Sequence, residues 1–464
     1  MILRAPMSWT PVLDENAAAT VSGRLLAALR RDIDDGQLTP GTKLPPHRDL
    51  AHQLGIGIGT VTSVYGEAAR QGLLTATVGR GSFVADNVPR QGGHDGLIEL
   101  SRNVPPLGLA QRRFGPTLAR LGKRGDLNQL LDYAPPAGEE AHRRSAAAWL
   151  RRVSGLRDAR ADRLVITGGA QQAMSLVMDL LCRPGDTIMT EAATYFGIRS
   201  IAQEGGYRTL GLAMDEEGLL PDAFDRAAAA GARILYTLPT LQNPTGRIMG
   251  DARRAEIAAI ARKHGVWIVE DDLYSIFATG NAPPPIAAYA PDRTFYIHGT
   301  SKAIAPGLRT GFLIVPDDDH LDRVLRRIRA HIYAPSAMGA LIGSQWMEDG
   351  TADEIVAENQ AEMLARGRMA AERLGPALSA PADPRSPHLW LPMSELEAER
   401  MAARAMRAGV EVTPPSAPLI DPSSISGVRL CLGPATDRAQ LGVALDRVAA
   451  ALDAARTEVA ATVI

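Results

Sequence analysis

The stretch "HGTSKAIAPGLRTGFL", residues 298–313, decides the reading of the chain. It continues the apolar run "TFYIHGTS", which predicts a strand, and Lys302 follows where that strand gives way to Gly, Thr and Ser. In an α/β sheet, the C-terminal ends of strands are where binding sites assemble. Arg309 comes seven residues after the lysine, and its planar fork of donors suits a phosphate. Together the two side chains predict an amine held beside a bound anion.

Working outward, "RLVITGG", "TIMTEA", "RILYTLPT", "VWIVEDD", "TFYIHGTS" and "GFLIVP" read as strands alternating with helical segments. Such alternation predicts an α/β fold with a mostly parallel sheet wrapped by helices. A helix through Arg323 to Ile328, helical "AEMLARGRMAAERL", strands near "HLWLP" and "GVRLCLG", and a closing helix from Arg438 predict a smaller α+β subdomain over about 335–464. The whole body is expected to span 97–464.

The strands also carry a chemical constellation. Asp271 ends "VWIVEDD", where a carboxylate can keep a heteroaromatic nitrogen protonated, and Tyr274 and the Asn243 of "LQNPTG" can donate to a ring hydroxyl. Tyr195 in "EAATYFG" offers a stacking face. The Gly-rich "TGGAQQA" feeds a helix, so the backbone N–H groups of Ala170 and Gln171 are expected to point at an anion. A lysine, a ring carboxylate, hydroxyl donors, a stacking face and a phosphate cup are what pyridoxal 5'-phosphate asks of a protein.

The ordered set Gly-Gly-Ala-Gln-Gln, Thr-Tyr-Phe-Gly, Asn-Pro-Thr-Gly, Asp-x-x-Tyr and Ser-Lys with a later Arg resembles fold-type I aminotransferases across roughly 97–464. The resemblance implies that Lys302 forms a Schiff base with the cofactor. It also implies that Tyr133 in "LDYAPPAG" reaches the phosphate of a neighbouring subunit in a homodimer, and that Arg429 in "VRLCLG" grips a carboxylate. One position departs from the pattern: Gly299 stands where many relatives have serine, leaving Ser301 and Thr300 as the expected hydroxyl donors.

The first 85 residues read differently. Val21, Leu25, Leu29 and Ile33 recur at helical spacing, and "PHRDLAHQLG" and "GIGTVTSVYGEAARQG" predict two further helices around a glycine-containing turn. Leu50, Leu54, Val61, Val64, Tyr65 and Ala68 are expected inside, and "LLTATVGRGSFVAD" predicts a hairpin wing. In such a motif the second helix enters the major groove, which offers Thr60, Thr62 and Ser63 to DNA, with His47 and Arg48 on the preceding helix and Gly79 and Arg80 at the wing tip. Residues 1–90 hold nine Lys/Arg against eight Asp/Glu, so any electrostatic footprint must be local. "GQLTPGTKLPPHRDLAHQLGIGIGTVTSVYGEAARQGLLTATVGRGSFV" resembles the winged helix-turn-helix head of GntR-type bacterial repressors. Gly57 and Ile58 depart from the Ser-Arg that many relatives carry there, which removes an expected DNA contact.

Residues 86–96, "DNVPRQGGHDG" from Asp86, are expected to be a linker. The 464 residues are 45% hydrophobic and 22% charged with a net charge of -2, which excludes a polybasic or disordered chain. Two cysteines, Cys182 and Cys431, fit a reducing compartment, and the absence of a long apolar run or leader-like N-terminus predicts a cytoplasmic protein without a membrane partner. No metal is expected. A GntR-type head on an aminotransferase-like body resembles the MocR/GabR branch of bacterial regulators. That resemblance implies promoter DNA and a small amino compound as partners, and a homodimer arranged head-to-tail. It also implies sensing at Lys302 rather than physiological turnover. The alternative is an active aminotransferase carrying a DNA-binding head.

Overall fold

The computed structural model describes residues 9–14, 20–34, 37–39, 41–70, 73–77, 81–85 and 97–462. The chain divides into two compact units, Met1–His94 and Asp95–Ile464. In the first, helices α1 (Val21–Asp34), α2 (His47–Leu54) and α3 (Ile58–Arg70) precede strands β1 (Leu74–Thr77) and β2 (Gly81–Val84). The strands pair antiparallel, Leu74 opposite Val84 and Thr77 opposite Gly81. Leu25, Leu29, Ile33, Leu50, Val61, Val64, Tyr65 and Ala68 form one core with Leu74 and Val84. Val21, by contrast, is exposed at the start of α1, and Leu54 is only partly buried.

The second unit opens with β3 (Ile98–Leu100), α4 (Gly108–Leu121) and α5 (Glu140–Val153). Then β4 (Leu164–Thr167), α6 (Ala170–Leu181), β5 (Thr187–Glu191), α7 (Phe196–Gly205) and β6 (Arg208–Leu212) follow, with a small hairpin β7 (Met214–Asp215) and β8 (Gly218–Leu219) and helix α8 (Pro221–Ala229). Next come β9 (Ile234–Thr237), α9 (Asp251–His264), β10 (Trp267–Asp271), α10 (Ile286–Tyr289), β11 (Thr294–Gly299) and β12 (Gly311–Ile314). Among the described residues, seven strands form a sheet in the order β4-β12-β11-β10-β9-β5-β6. Strand β12 runs antiparallel to both neighbours and the other pairings are parallel. Strands β4, β9 and β11 are buried along their whole length. That is why they read as continuous apolar runs: helices cover both faces of such a sheet.

Helices α11 (Asp318–His331), α12 (Ala337–Glu348) and α13 (Thr351–Leu374) lead to the last third, where β13 (His388–Pro392), α14 (Glu395–Arg407), β14 (Val410–Val412), β15 (Gly427–Cys431) and α15 (Arg438–Thr462) build a smaller layer. Strand β13 pairs antiparallel with β15, placing Trp390 opposite Arg429. Strand β14 pairs in parallel with β3, so the segment that opens the body adds a strand beside its C-terminal third. No helix among the described residues is long and apolar enough to cross a membrane.

Candidate cofactor and effector site

The sheet brings its chemistry to one edge. Parallel pairing of β10 with β11 sets Asp271 beside Ile297, and β11 ends at Gly299, three residues short of Lys302. Gly299 lies opposite Gly311 on β12, and Gly311 opposite Thr167 on β4, so the turn after β4 and the loop before β12 meet the same end. A cavity of about 120 Å³ opens there, lined by Ala170, Gln171, Tyr195, Asp271, Tyr274, Ser301, Lys302 and Arg309 along with apolar neighbours. Residues 139 positions apart in sequence, from Ala170 to Arg309, thus share one wall.

Lys302 donates from Nζ to the Asn103 carbonyl at 2.6 Å and lies 6.0 Å from the Tyr274 ring centre. Burial pulls its amine down to about 8, so a far larger share is uncharged at neutral pH than for a free lysine, as a nucleophile requires. Asp271 is fully buried, and burial raises its carboxyl to about 6 while the Tyr236 hydroxyl opposes that rise. Tyr236 donates to Asp271 Oδ2 at 2.8 Å, and Leu273 N approaches Oδ1 at 3.3 Å.

The phosphate side rests on backbone geometry. Gly169 caps α6 at φ 100°, and a Cβ there would stand 2.8 Å from Arg309 Nη2. Arg309 itself sits at φ 47° and donates to the Gly168 carbonyl at 2.9 Å. As the first residues of α6, Ala170 and Gln171 have N–H groups without helical acceptors. Gln171 Oε1 is buried without a partner. Free donors at a helix N-terminus facing a guanidinium form an anion cradle. With a low-pKa amine and a buried carboxylate across the cavity, they fit pyridoxal 5'-phosphate. The cradle does not use Thr300: its hydroxyl bonds to the Thr310 and Ala305 carbonyls, so only Ser301 of the two expected donors lines the cavity. A side chain at Gly299 has no room, because its Cβ would lie 2.8 Å from the Thr310 carbonyl oxygen.

Asn243 and Arg429 adjoin this cavity without lining it. Asn243 Nδ2 reaches the Tyr274 hydroxyl at 3.4 Å, and its Oδ1 accepts from Arg429 Nη1 at 2.7 Å. Arg429 is 4% exposed and also donates to Thr413 Oγ1 at 3.0 Å and the Ser101 carbonyl at 2.9 Å. Tyr133 stands apart, 78% exposed, its ring tilted at 56° to that of Tyr333 with centroids 4.6 Å apart.

Three residues that the sequence reading passed over belong to the site. Tyr236 had a signal: a hydroxyl-bearing ring inside the apolar strand "ILYT" must find a buried partner. Asn103 and His388 had none, since they meet across 285 positions, Asn103 Nδ2 lying 2.8 Å from His388 Nδ1. Burial lowers His388 to about 3, so the ring is neutral. Its Nε2 faces the Gln242 carbonyl at 3.0 Å and must carry the proton, which leaves Nδ1 to accept from Asn103.

In the head, Arg48, Thr62 and Ser63 are exposed and Thr60 is half-buried on the N-terminal half of α3. His47 Nδ1 is 3.0 Å from Thr62 Oγ1, and its ring packs edge-on against Tyr65 at 4.9 Å. Gly57 and Ile58 are exposed at the start of α3. Gly79 and Arg80 lie outside the described residues.

Comparison with known proteins agrees with both halves. Residues 95–448 match the family described as aminotransferase class I and II, and residues 22–84 match the bacterial regulatory proteins of the gntR family. The chain is 30% identical to the pyridoxine biosynthesis regulator PdxR of Corynebacterium glutamicum over 332 residues, covering 70% of this chain and 72% of that one. It is 27% identical to the probable rhizopine catabolism regulatory protein MocR of Rhizobium meliloti, covering 66% and 67%. The solved kynurenine aminotransferase of Pyrococcus horikoshii superposes with a TM-score of 0.71 at 21% identity, covering 78% of this chain and 91% of that one. The chain belongs to the MocR-type regulators, in which a gntR-family head that binds DNA is joined to a pyridoxal 5'-phosphate body of the class I and II aminotransferase family.

Proposed function

We propose that this regulator senses a small amino compound at Lys302 and reports it to promoter DNA through the head. The observation that carries the reading is the pairing of a low-pKa amine, Lys302, with a buried guanidinium, Arg429, beside one cavity. Pyridoxal 5'-phosphate supplies a carbonyl that condenses reversibly with amines. Lys302 is the amine that holds it, Asp271 faces its ring nitrogen, Asn243 and Tyr274 serve its ring hydroxyl, and Tyr195 covers its face. Ala170, Gln171, Ser301 and Arg309 bind its phosphate. Arg429 selects a carboxylate on the effector, the strongest partner for a buried fork of donors.

The sensor is a homodimer, arranged head-to-tail. In support, Leu107, Phe114 and Met338 are exposed around a cavity of about 650 Å³ that reaches Arg309. Apolar surface of that kind beside a half-built phosphate cradle suits a second copy, which would bring its own Tyr133. In the head, Arg48 contacts phosphate while Thr60, Thr62, Ser63 and His47 face the major groove, with Gly79 and Arg80 at the minor groove. Lys302→Ala tests the chemistry: the variant should stay colourless with added cofactor and lose effector-dependent DNA binding. Effector response without colour would refute covalent sensing. The full lining of the cavity also suits a working aminotransferase, and sustained amino-group transfer between amino and keto acids would favour that second reading.

A further inference from the structure

The segment that joins β3 to α4 lies across the site, and it uses the acceptors an effector would need to replace. Ser101 O takes three donors: Arg429 Nη2 at 2.9 Å, Thr413 Oγ1 at 2.9 Å and Cys431 Sγ at 3.4 Å. Asn103 O takes Lys302 Nζ at 2.6 Å, and the Asn103 amide is held by neutral His388. Val104 O presses on the Cα of Gly433, where a Cβ would come within 1.7 Å. Both cations of the proposed sensor are therefore engaged by main-chain carbonyls of one strap, Ser101–Val104.

We propose that this strap is the first moving part of the switch: with Lys302 already holding the cofactor, an effector's carboxylate displaces Ser101 O from Arg429, and the freed strap loosens β3. The inference rests on the effector reading above. Its physical basis is a difference in acceptor strength. A carboxylate meets a guanidinium with an opposite charge and two oxygens, a bidentate pairing that a single neutral carbonyl cannot make. Once Lys302 holds or exchanges the cofactor, its ammonium no longer needs Asn103 O. Strand β3 is only three residues long and is tied to β14 by a three-residue register, with Ile98 and Leu100 anchored in the core. In sequence, β3 begins at Ile98, one residue beyond the segment 86–96 that leads back to the head. Displacement thus acts on the chain at the point where body and head are joined.

The strap can be lifted without knowing the effector. In full-length, cofactor-loaded protein, Gly433→Ala puts a methyl into Val104 O, and Thr413→Val removes one of the three donors on Ser101 O. Hydrogen exchange at residues 98–104 should accelerate in both variants. Affinity for a duplex taken from upstream of the protein's own coding sequence should change by about tenfold, a typical coupling between two sites. Faster exchange with unchanged DNA affinity overturns the proposal, and so does unchanged exchange in both variants. If Gly433→Ala fails to fold, Thr413→Val decides alone. Wild-type protein that takes up no cofactor, or binds no DNA, would instead refute the proposed function and leave the strap's contacts as structure only.

Discussion

At the scale of residues, two buried titratable groups set the behaviour of the site. Lys302 is lowered to about 8 by burial, so in the apo-protein the folded state binds fewer protons than the unfolded state between about 8 and the ordinary lysine range. Its cost is therefore complete below pH 8 and fades as pH rises through that window. Lys302→Met should stabilise the apo-protein at pH 7 by roughly 3 kcal/mol, with the gain shrinking toward pH 10; thermal melts across pH check it. Asp271 is the opposite case, raised to about 6 by burial. Tyr236→Phe removes the one side-chain donor that opposes this rise, and the pH midpoint of cofactor colour should move upward by about one unit. Lys302, Asp271 and Arg309 were legible in the sequence because their spacing follows strand ends. Tyr236, Asn103 and His388 were not, because their roles come from contacts between distant segments.

At the scale of elements, the turn into α6 and the helix pair α2–α3 are where the proposed roles can be tested. Gly169 combines a left-handed backbone with a 2.8 Å approach of Arg309, so Gly169→Ala should cost roughly 1–3 kcal/mol and weaken cofactor retention in dialysis. On α2, Arg48 is exposed. If it contacts phosphate, Arg48→Ala should lower affinity for all duplexes alike and reduce the salt slope by about one. The buried strands of the large sheet announced themselves as apolar runs, whereas β6 did not: it is an edge strand with exposed alternate residues, and "RTLGL" carries too little apolar signal to stand out. Strand β3 was hidden for a related reason. Three residues have no period, and only their pairing with β14, more than three hundred positions away, makes them a strand.

At the scale of the molecule, the fusion of a DNA-binding head with a cofactor-binding body was legible from motifs. The motif around Tyr133 also carried the expectation of a partner subunit at the site, whereas the apolar surface beside Arg309 had no motif to mark it. Tyr133 is exposed, and exposed Phe114 borders the cavity that reaches Arg309. Phe114→Glu should therefore yield monomers in sedimentation and weaken cofactor binding together, since burying an unpaired charge in an interface is costly. The central claim is that amine chemistry at Lys302 and DNA binding by the head are one equilibrium, and its most direct test is a paired titration. Holo-protein is titrated with candidate amino compounds while cofactor absorbance and promoter footprint are read on the same samples. The account predicts that one compound shifts both with a common midpoint; a compound that fully shifts the absorbance while the footprint stays unchanged would contradict it.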